Sequence, residues 1–74
     1  MYGKEICYLG VSENDPTRYA IGDYDLHYGD QFKVKINGRW LDVTIELDEF
    51  NLWYLKSEKW GSISVPAFRV EAII

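Results

Sequence analysis

The sequence predicts one small all-β barrel domain over residues 1–74, with five to seven short antiparallel strands. Apolar and polar side chains alternate with a period of two in several short segments, which is typical of half-buried strands. No segment sustains the 3.6-residue apolar spacing of a helix, so nothing more helical than one 3-10 turn near Pro66 is expected. A barrel is favoured because closure removes exposed sheet edges.

The clearest element is the hairpin of residues 31–47, QFKVKINGRWLDVTIEL. Asn37-Gly38 tolerates the positive φ angles of a type I′ turn, and two-residue closure pairs Ile36 with Arg39. The remaining predicted pairs are Val34–Leu41 and Phe32–Val43 on the core face, and Lys33–Asp42 and Lys35–Trp40 on the outer face. The outer pairs are expected to form an ion pair and a cation-π contact.

Shorter segments on both sides complete the predicted sheet. Strands are expected over residues 5–9, 18–21, 52–56, 62–65 and 70–74. Turn-forming residues occur at 14–17, 29–30 and 48–51, where Asn, Asp, Pro and Gly favour tight turns. Pro66 marks the end of a strand, because proline cannot donate a hydrogen bond to the ladder.

The charge balance disfavours nonspecific binding to duplex DNA. Twelve acidic residues exceed eight basic ones, and the net charge is −4, whereas nonspecific affinity for nucleic acid comes from Lys and Arg that displace counterions from phosphates. A cationic partner suits this balance better. The alternative is that the acidic surface only keeps the domain soluble.

The cysteine count indicates a reducing, cytoplasmic environment. Cys7 is the only cysteine, so no internal disulfide can form, whereas small secreted domains usually need several. No leader segment is recognised, and no apolar run approaches the roughly 20 residues that a membrane-spanning helix requires.

Catalytic and metal-binding constellations are not recognisable in the sequence, so an enzyme, a metal site and a cofactor are not expected. His27 and Cys7 are single residues of their types, and neither lies in a nucleophile motif. Asp23, Asp25 and Asp30 do not follow the ligand spacing of a calcium loop. His27 is interpreted as a solvent-facing turn residue and Cys7 as a small packing residue.

The aromatic residues are the main functional signal, because twelve in 74 residues exceed what one small core needs. Surplus aromatics near a surface often mark contact sites. Trp40 faces outward by strand parity, and Trp60 lies in a polar turn. These two side chains, with Lys35 opposite Trp40, are the candidate binding residues.

Two resemblances add to this interpretation. One rests on the segments YDLHYGDQF (24–32), GRW (38–40), VTIE (43–46) and WYL (53–55). Together these segments resemble a family of small uncharacterised domains found largely in Gram-positive bacteria, often on mobile elements. The family implies a biological context rather than a mechanism.

The second resemblance is to SH3 barrels. Asp25-Leu26 with Gly29-Asp30 is similar to the diverging turn of that fold, Trp40 to its groove tryptophan, and Val65-Pro66 with Val70-Glu71 to its closing segment. This implies an SH3-like barrel. Arg69 stands where SH3 domains place an aromatic residue that stacks against proline-rich ligands, and it is the fourth candidate binding residue.

The leading functional interpretation is a noncatalytic protein-binding module, acting as an accessory protein of a bacterial mobile element and presenting Trp40, Trp60 and nearby acids. One alternative is a barrel that binds single-stranded nucleic acid, since Lys33, Lys35 and Arg39 lie near Trp40 and bases stack on exposed aromatics. Another is an acidic inhibitor of a nucleic-acid enzyme, such as an anti-defence protein.

Overall fold

The computed structural model describes residues 7–66 and 69–74, and every regular element in these ranges is a β-strand. The strands are β1 (Cys7–Val11), β2 (Tyr19–Ile21), β3 (Tyr24–Asp25), β4 (Gln31–Ile36), β5 (Arg39–Leu47), β6 (Trp53–Ser57), β7 (Gly61–Ser64) and β8 (Val70–Ile73). The predicted all-β class is confirmed. No helix among the described residues is long and apolar enough to cross a membrane.

The hairpin of β4 and β5 has the predicted register. Ile36 pairs with Arg39, and all four further predicted pairs are present. Asn37 and Gly38 adopt φ angles of 51° and 77°, as a type I′ turn requires. Turn chemistry and hydrophobic alternation therefore specify the same pairing.

Both predicted contacts on the outer face of this hairpin are present. Lys33 Nζ lies 3.0 Å from Asp42 Oδ1, and Lys35 Nζ lies 5.9 Å from the centroid of the Trp40 ring. Both charged groups of the Lys33–Asp42 pair are largely exposed, so this ion pair contributes less than about 1 kcal/mol to stability.

The sheet is open, which corrects the prediction of a closed barrel with five to seven strands. Eight strands follow the order β3-β2-β1-β8-β4-β5-β6-β7, and all pairs are antiparallel. The strand at one end, β3, has only two residues, and among the described residues no ladder joins it to β7 at the other end. Seven of these strands correspond to predicted segments, and the eighth is β3, a two-residue strand that pairs with β2 at one end of the sheet.

Two sets of hydrogen bonds lie outside the assigned strand ladders: one continues the β4–β5 pairing beyond Gln31, and the other joins β6 to the loop before β2. Gly29 donates its N–H to the carbonyl of Ile45 at 2.8 Å, and Ile45 donates to the carbonyl of Asp30 at 3.0 Å. The indole Nε1 of Trp53 donates to the carbonyl of Thr17 at 2.8 Å. The Trp53–Thr17 bond joins the two halves of the sheet, which curl around one common core.

The core lies on the concave face of the curled sheet. Leu26, Val34, Ile45 and Leu55 are completely buried there. The cluster is completed by Leu9, Ile21, Phe32, Leu41, Val43, Val70 and Ala72. Full burial of one such aliphatic side chain contributes about 1.5–3 kcal/mol to stability. The inward-facing residues of the strands therefore provide the main stabilisation of the fold.

The last strand occupies the centre of the sheet. β8 lies between β1 and β4, pairing Ala72 with both Cys7 and Val34. Pro66 belongs to no regular element. The predicted 3-10 turn near Pro66 would involve residues 67–68, which lie outside the described residues.

The Asn37-Gly38 turn gives a stability prediction. The Gly38→Ala variant would place a residue with a Cβ atom at a backbone φ of 77°, which is strained for any residue other than glycine. We expect this substitution to lower the free energy of unfolding by about 1 kcal/mol. Urea unfolding monitored by tryptophan fluorescence measures it. Gly10→Ala is the matched control, because no positive φ applies there and no heavy atom lies within 4 Å of the added Cβ. Equal losses in the two variants would contradict the prediction.

Candidate functional site

Trp40 is held on the outer face of the sheet by a row of neighbouring side chains. Its partner Lys35 contacts the indole on one side and approaches Glu71 Oε2 at 3.5 Å on the other. The Trp40 side chain remains 38% exposed. The row thus orients one tryptophan at the start of β5 while leaving part of its surface open to a partner.

Trp60 is positioned by the turn between β6 and β7. Ser57 is buried, and its Oγ accepts the backbone N–H groups of Lys59 at 3.2 Å and Trp60 at 3.1 Å. Gly61 completes the turn with a φ of 79°. The side-chain hydrogen bonds fix a short polar turn and project Trp60, which is 52% exposed.

The structure brings Trp40 and Trp60 to the same groove. This groove has a volume of about 730 Å³ and lies over the outward-facing side chains of β4, β5 and β6. Ile73 and Ile74 at the end of the chain also line it. We call it the tryptophan groove; its two indoles come from different hairpins and are separated by 20 residues in the sequence.

The charge of the tryptophan groove is opposite to that of the whole chain. Its lining contains four basic side chains and two acidic ones, although the chain has a net charge of −4. The bases are Lys33, Arg39, Lys56 and Lys59, and the acids are Asp42 and Glu58. The sequence led us to expect nearby acids around the two tryptophans, whereas bases predominate.

The other two candidate residues lie outside this lining. Lys35 supports Trp40 from the side and is paired with Glu71. The Arg69 guanidinium lies 4.7 Å from the centroid of the Tyr8 ring, at a second cavity of about 520 Å³. The four residues therefore do not form one site.

Sequence reasoning missed the contribution of Lys56 and Lys59. Lys56 reaches the groove because it pairs with Thr44 across β5 and β6. The connection between these strands is not a two-residue turn, so the sequence did not fix their register. Lys59 was visible beside Trp60, but nothing in the sequence showed that the turn would face Trp40.

His27, the only histidine, lies in the turn before β4 and is not part of the groove. Asp30 Oδ2 accepts hydrogen bonds from the backbone N–H of His27 at 2.9 Å and the hydroxyl of Tyr24 at 3.0 Å, and lies 3.7 Å from His27 Nδ1. Asp30 therefore closes this turn. Among the described residues, no cluster of three or more His, Cys, Asp or Glu side chains could hold a metal ion.

These contacts change the pKa values of the turn. The His27 backbone N–H lowers the pKa of Asp30 most, and the Tyr24 hydroxyl and the His27 ring lower it further, against a smaller opposing effect of burial. The hydrogen bond to Asp30 raises the pKa of Tyr24. Elsewhere, Thr17 lowers the pKa of Asp15, and Glu46 raises that of Tyr54. All of these groups lie outside the lining of the tryptophan groove.

One family model matches the chain, over residues 7–63, and its description is "Domain of unknown function (DUF5348)". The match includes Trp40, Trp60 and most of the groove, but not Arg69 or the last strand. No curated protein and no solved structure matches the chain.

The Asp30 turn predicts a pH dependence of stability. Because the folded-state pKa of Asp30 is below its ordinary value of 3.8, its stabilising contribution is present above that value and is lost as the pH falls through the lowered pKa. In urea titrations from pH 7 to pH 2, Asp30→Asn should be less stable than the parent at pH 7, with the difference disappearing at the acid end. Tyr24→Phe should show a smaller difference of the same sign. If the difference in unfolding free energy between the parent and Asp30→Asn increased as the pH falls, the stabilising role of the Asp30 carboxylate would be contradicted.

Proposed function

We propose that this chain, which belongs to the DUF5348 family of domains of unknown function, is a noncatalytic protein-binding module that holds its partner in the tryptophan groove. The convergence of Trp40 and Trp60 on one groove supports this proposal most directly. Partly exposed tryptophans are enriched among residues that contribute most to binding energy. A module with two such rings on a rigid sheet presents a preformed contact surface.

The composition of the groove favours binding over catalysis. The residues that line it include neither histidine nor cysteine, and the hydroxyl of Ser57 is already engaged with two backbone N–H groups. A nucleophile needs a neighbouring base to activate it. The described lining offers binding chemistry but no such pair.

We propose that the chain is a cytoplasmic accessory protein of a bacterial mobile element and that its fold is related to SH3 barrels. The single Cys7 suits a reducing compartment. The two sequence resemblances described above suggest the mobile-element context and the relation to SH3 barrels. Gene neighbours are the direct test of context: conjugation, replication or defence genes beside the coding sequence would support it, and consistent placement among unrelated metabolic genes would contradict it.

Binding of single-stranded nucleic acid is the second candidate function. The observation in its favour is the basic surplus in a groove that also contains two indoles, since bases stack on aromatic rings along positively charged grooves. The third candidate, an acidic inhibitor of a nucleic-acid enzyme, would use the second cavity instead. Glu13, Asp23 and Asp25 are among the residues that line it, and these carboxylates would enter a basic channel.

The proposal predicts that partner capture depends on both groove tryptophans. The experiment immobilises the purified parent domain and its Trp40→Ala and Trp60→Ala variants separately. Each is exposed to an extract of the source cells, and the proteins that it binds are quantified. We expect each substitution to reduce the capture of the specific partner at least tenfold, which corresponds to about 1.4 kcal/mol.

Phe50→Ala is the matched control, because Phe50 is an even more exposed aromatic outside the groove. It should retain the partner, and circular dichroism should show a folded sheet for every variant. If both tryptophan variants fold and keep every partner that the parent binds, the groove is not the binding site.

A further inference from the structure

On the basis of the proposed function, we infer that the segment held in the tryptophan groove is an acidic, extended peptide that carries apolar side chains between its carboxylates. The inference combines three features of one surface: basic residues available for pairing, two indoles with neighbouring isoleucines, and a floor made of β-strands.

The available positive charge comes from Arg39, Lys56 and Lys59. Among the described residues, none of the three approaches a carboxylate within 4.0 Å, whereas Lys33 is already paired with Asp42. All three side chains are exposed at the groove. A carboxylate entering between them would gain charge-assisted hydrogen bonds without breaking an existing ion pair.

Apolar contacts are available in the same groove. Trp40, Trp60 and Ile74 are each exposed by more than a third, and Ile73 lies beside Lys33 on the outer face. Such side chains contact aliphatic or aromatic residues of a peptide and bury their area from water. A segment with only carboxylates would leave this apolar part of the groove unused.

The form of the groove suits an extended segment. Its floor follows the outward positions of β4, β5 and β6, where side chains on one face recur at every second residue. An extended peptide has the same period, so its alternate side chains can reach the rings and the lysines. The groove lies on the outer surface of the sheet, which leaves room at its ends for a chain to continue.

A nucleic-acid strand fits these observations less well. Sequence-independent affinity for nucleic acid comes from Lys and Arg contacts to many phosphates, whereas the groove has four bases and one of these is paired. Lys35 lies over the Trp40 ring and restricts the area on which a base can stack. The residues outside the groove are more acidic than the chain as a whole and would repel a long polyanion.

The test measures binding at the indole N–H signals of the ¹⁵N-labelled full chain by nuclear magnetic resonance. The probe is a synthetic ten-residue peptide with four Glu and two Phe in a Gly/Ser background, and its control has Gln in place of each Glu. The acidic peptide should shift the Trp40 and Trp60 signals and leave the Trp53 signal, because Trp53 Nε1 is hydrogen-bonded to Thr17 away from the groove. The Gln peptide should bind at least tenfold more weakly.

Substitutions locate the charge effect. The Lys56→Gln and Lys59→Gln substitutions should each weaken the binding of the acidic peptide severalfold. Arg69→Gln removes the same charge from a residue at the second cavity and should leave the affinity unchanged. An equal loss in Arg69→Gln would mean that overall charge, not the groove, attracts the peptide, and the inference would be wrong.

Other outcomes separate this inference from the proposed function. Equal binding of the acidic and Gln peptides at Trp40 and Trp60 would overturn the acidic specificity but support a peptide groove. Shifts of both indoles by ten-residue oligothymidine, with none from the acidic peptide, would replace both proposals by nucleic-acid binding. If neither probe shifts these signals, the inference is wrong, and the capture experiment with the tryptophan variants separately decides whether the groove binds protein.

Discussion

The two-residue turn at Asn37-Gly38 is the constraint on which both the core and the groove depend. Its positive φ angles fix the pairing of β4 with β5, and a change of one residue in a strand register moves every side chain to the opposite face. With the observed register, Val34 and Leu41 are buried and Trp40 is outside. One local conformation therefore places apolar residues in the interior and an indole on the outer surface of the sheet.

The contacts that shape the rest of the sheet are nonlocal, and the sequence predicts them less well. Each strand that alternation predicts is present, with ends that differ by no more than two residues. The part of the first predicted strand before Cys7 lies outside the described residues. The insertion of β8 between β1 and β4 and the bond from Trp53 to Thr17 join residues far apart in the chain. No turn type encodes such pairings, because they depend on how the whole sheet curls.

The same distinction explains which parts of the candidate site could be predicted. The outward orientation of Trp40 and its contact with Lys35 follow from a short turn and strand parity. The position of Trp60 relative to Trp40 depends on the register of β5 with β6, which follows a longer connection containing Asn51 at a φ of 62°. Arg69 is a candidate only through the resemblance to an SH3 ligand position. Its contact with Tyr8 involves a residue far away in the sequence, so the sequence does not reveal it.

The distribution of charge matters more for recognition than the net charge. A net charge of −4 alone suggests a cationic partner, yet the surface with the two indoles has an excess of bases. The acidic segment that we infer as the partner would be attracted to the groove and repelled by the more acidic surrounding surface. Electrostatic complementarity of this kind affects specificity and association rate more than final affinity. In that proposal the indoles and isoleucines would provide the apolar contact area that keeps the segment bound.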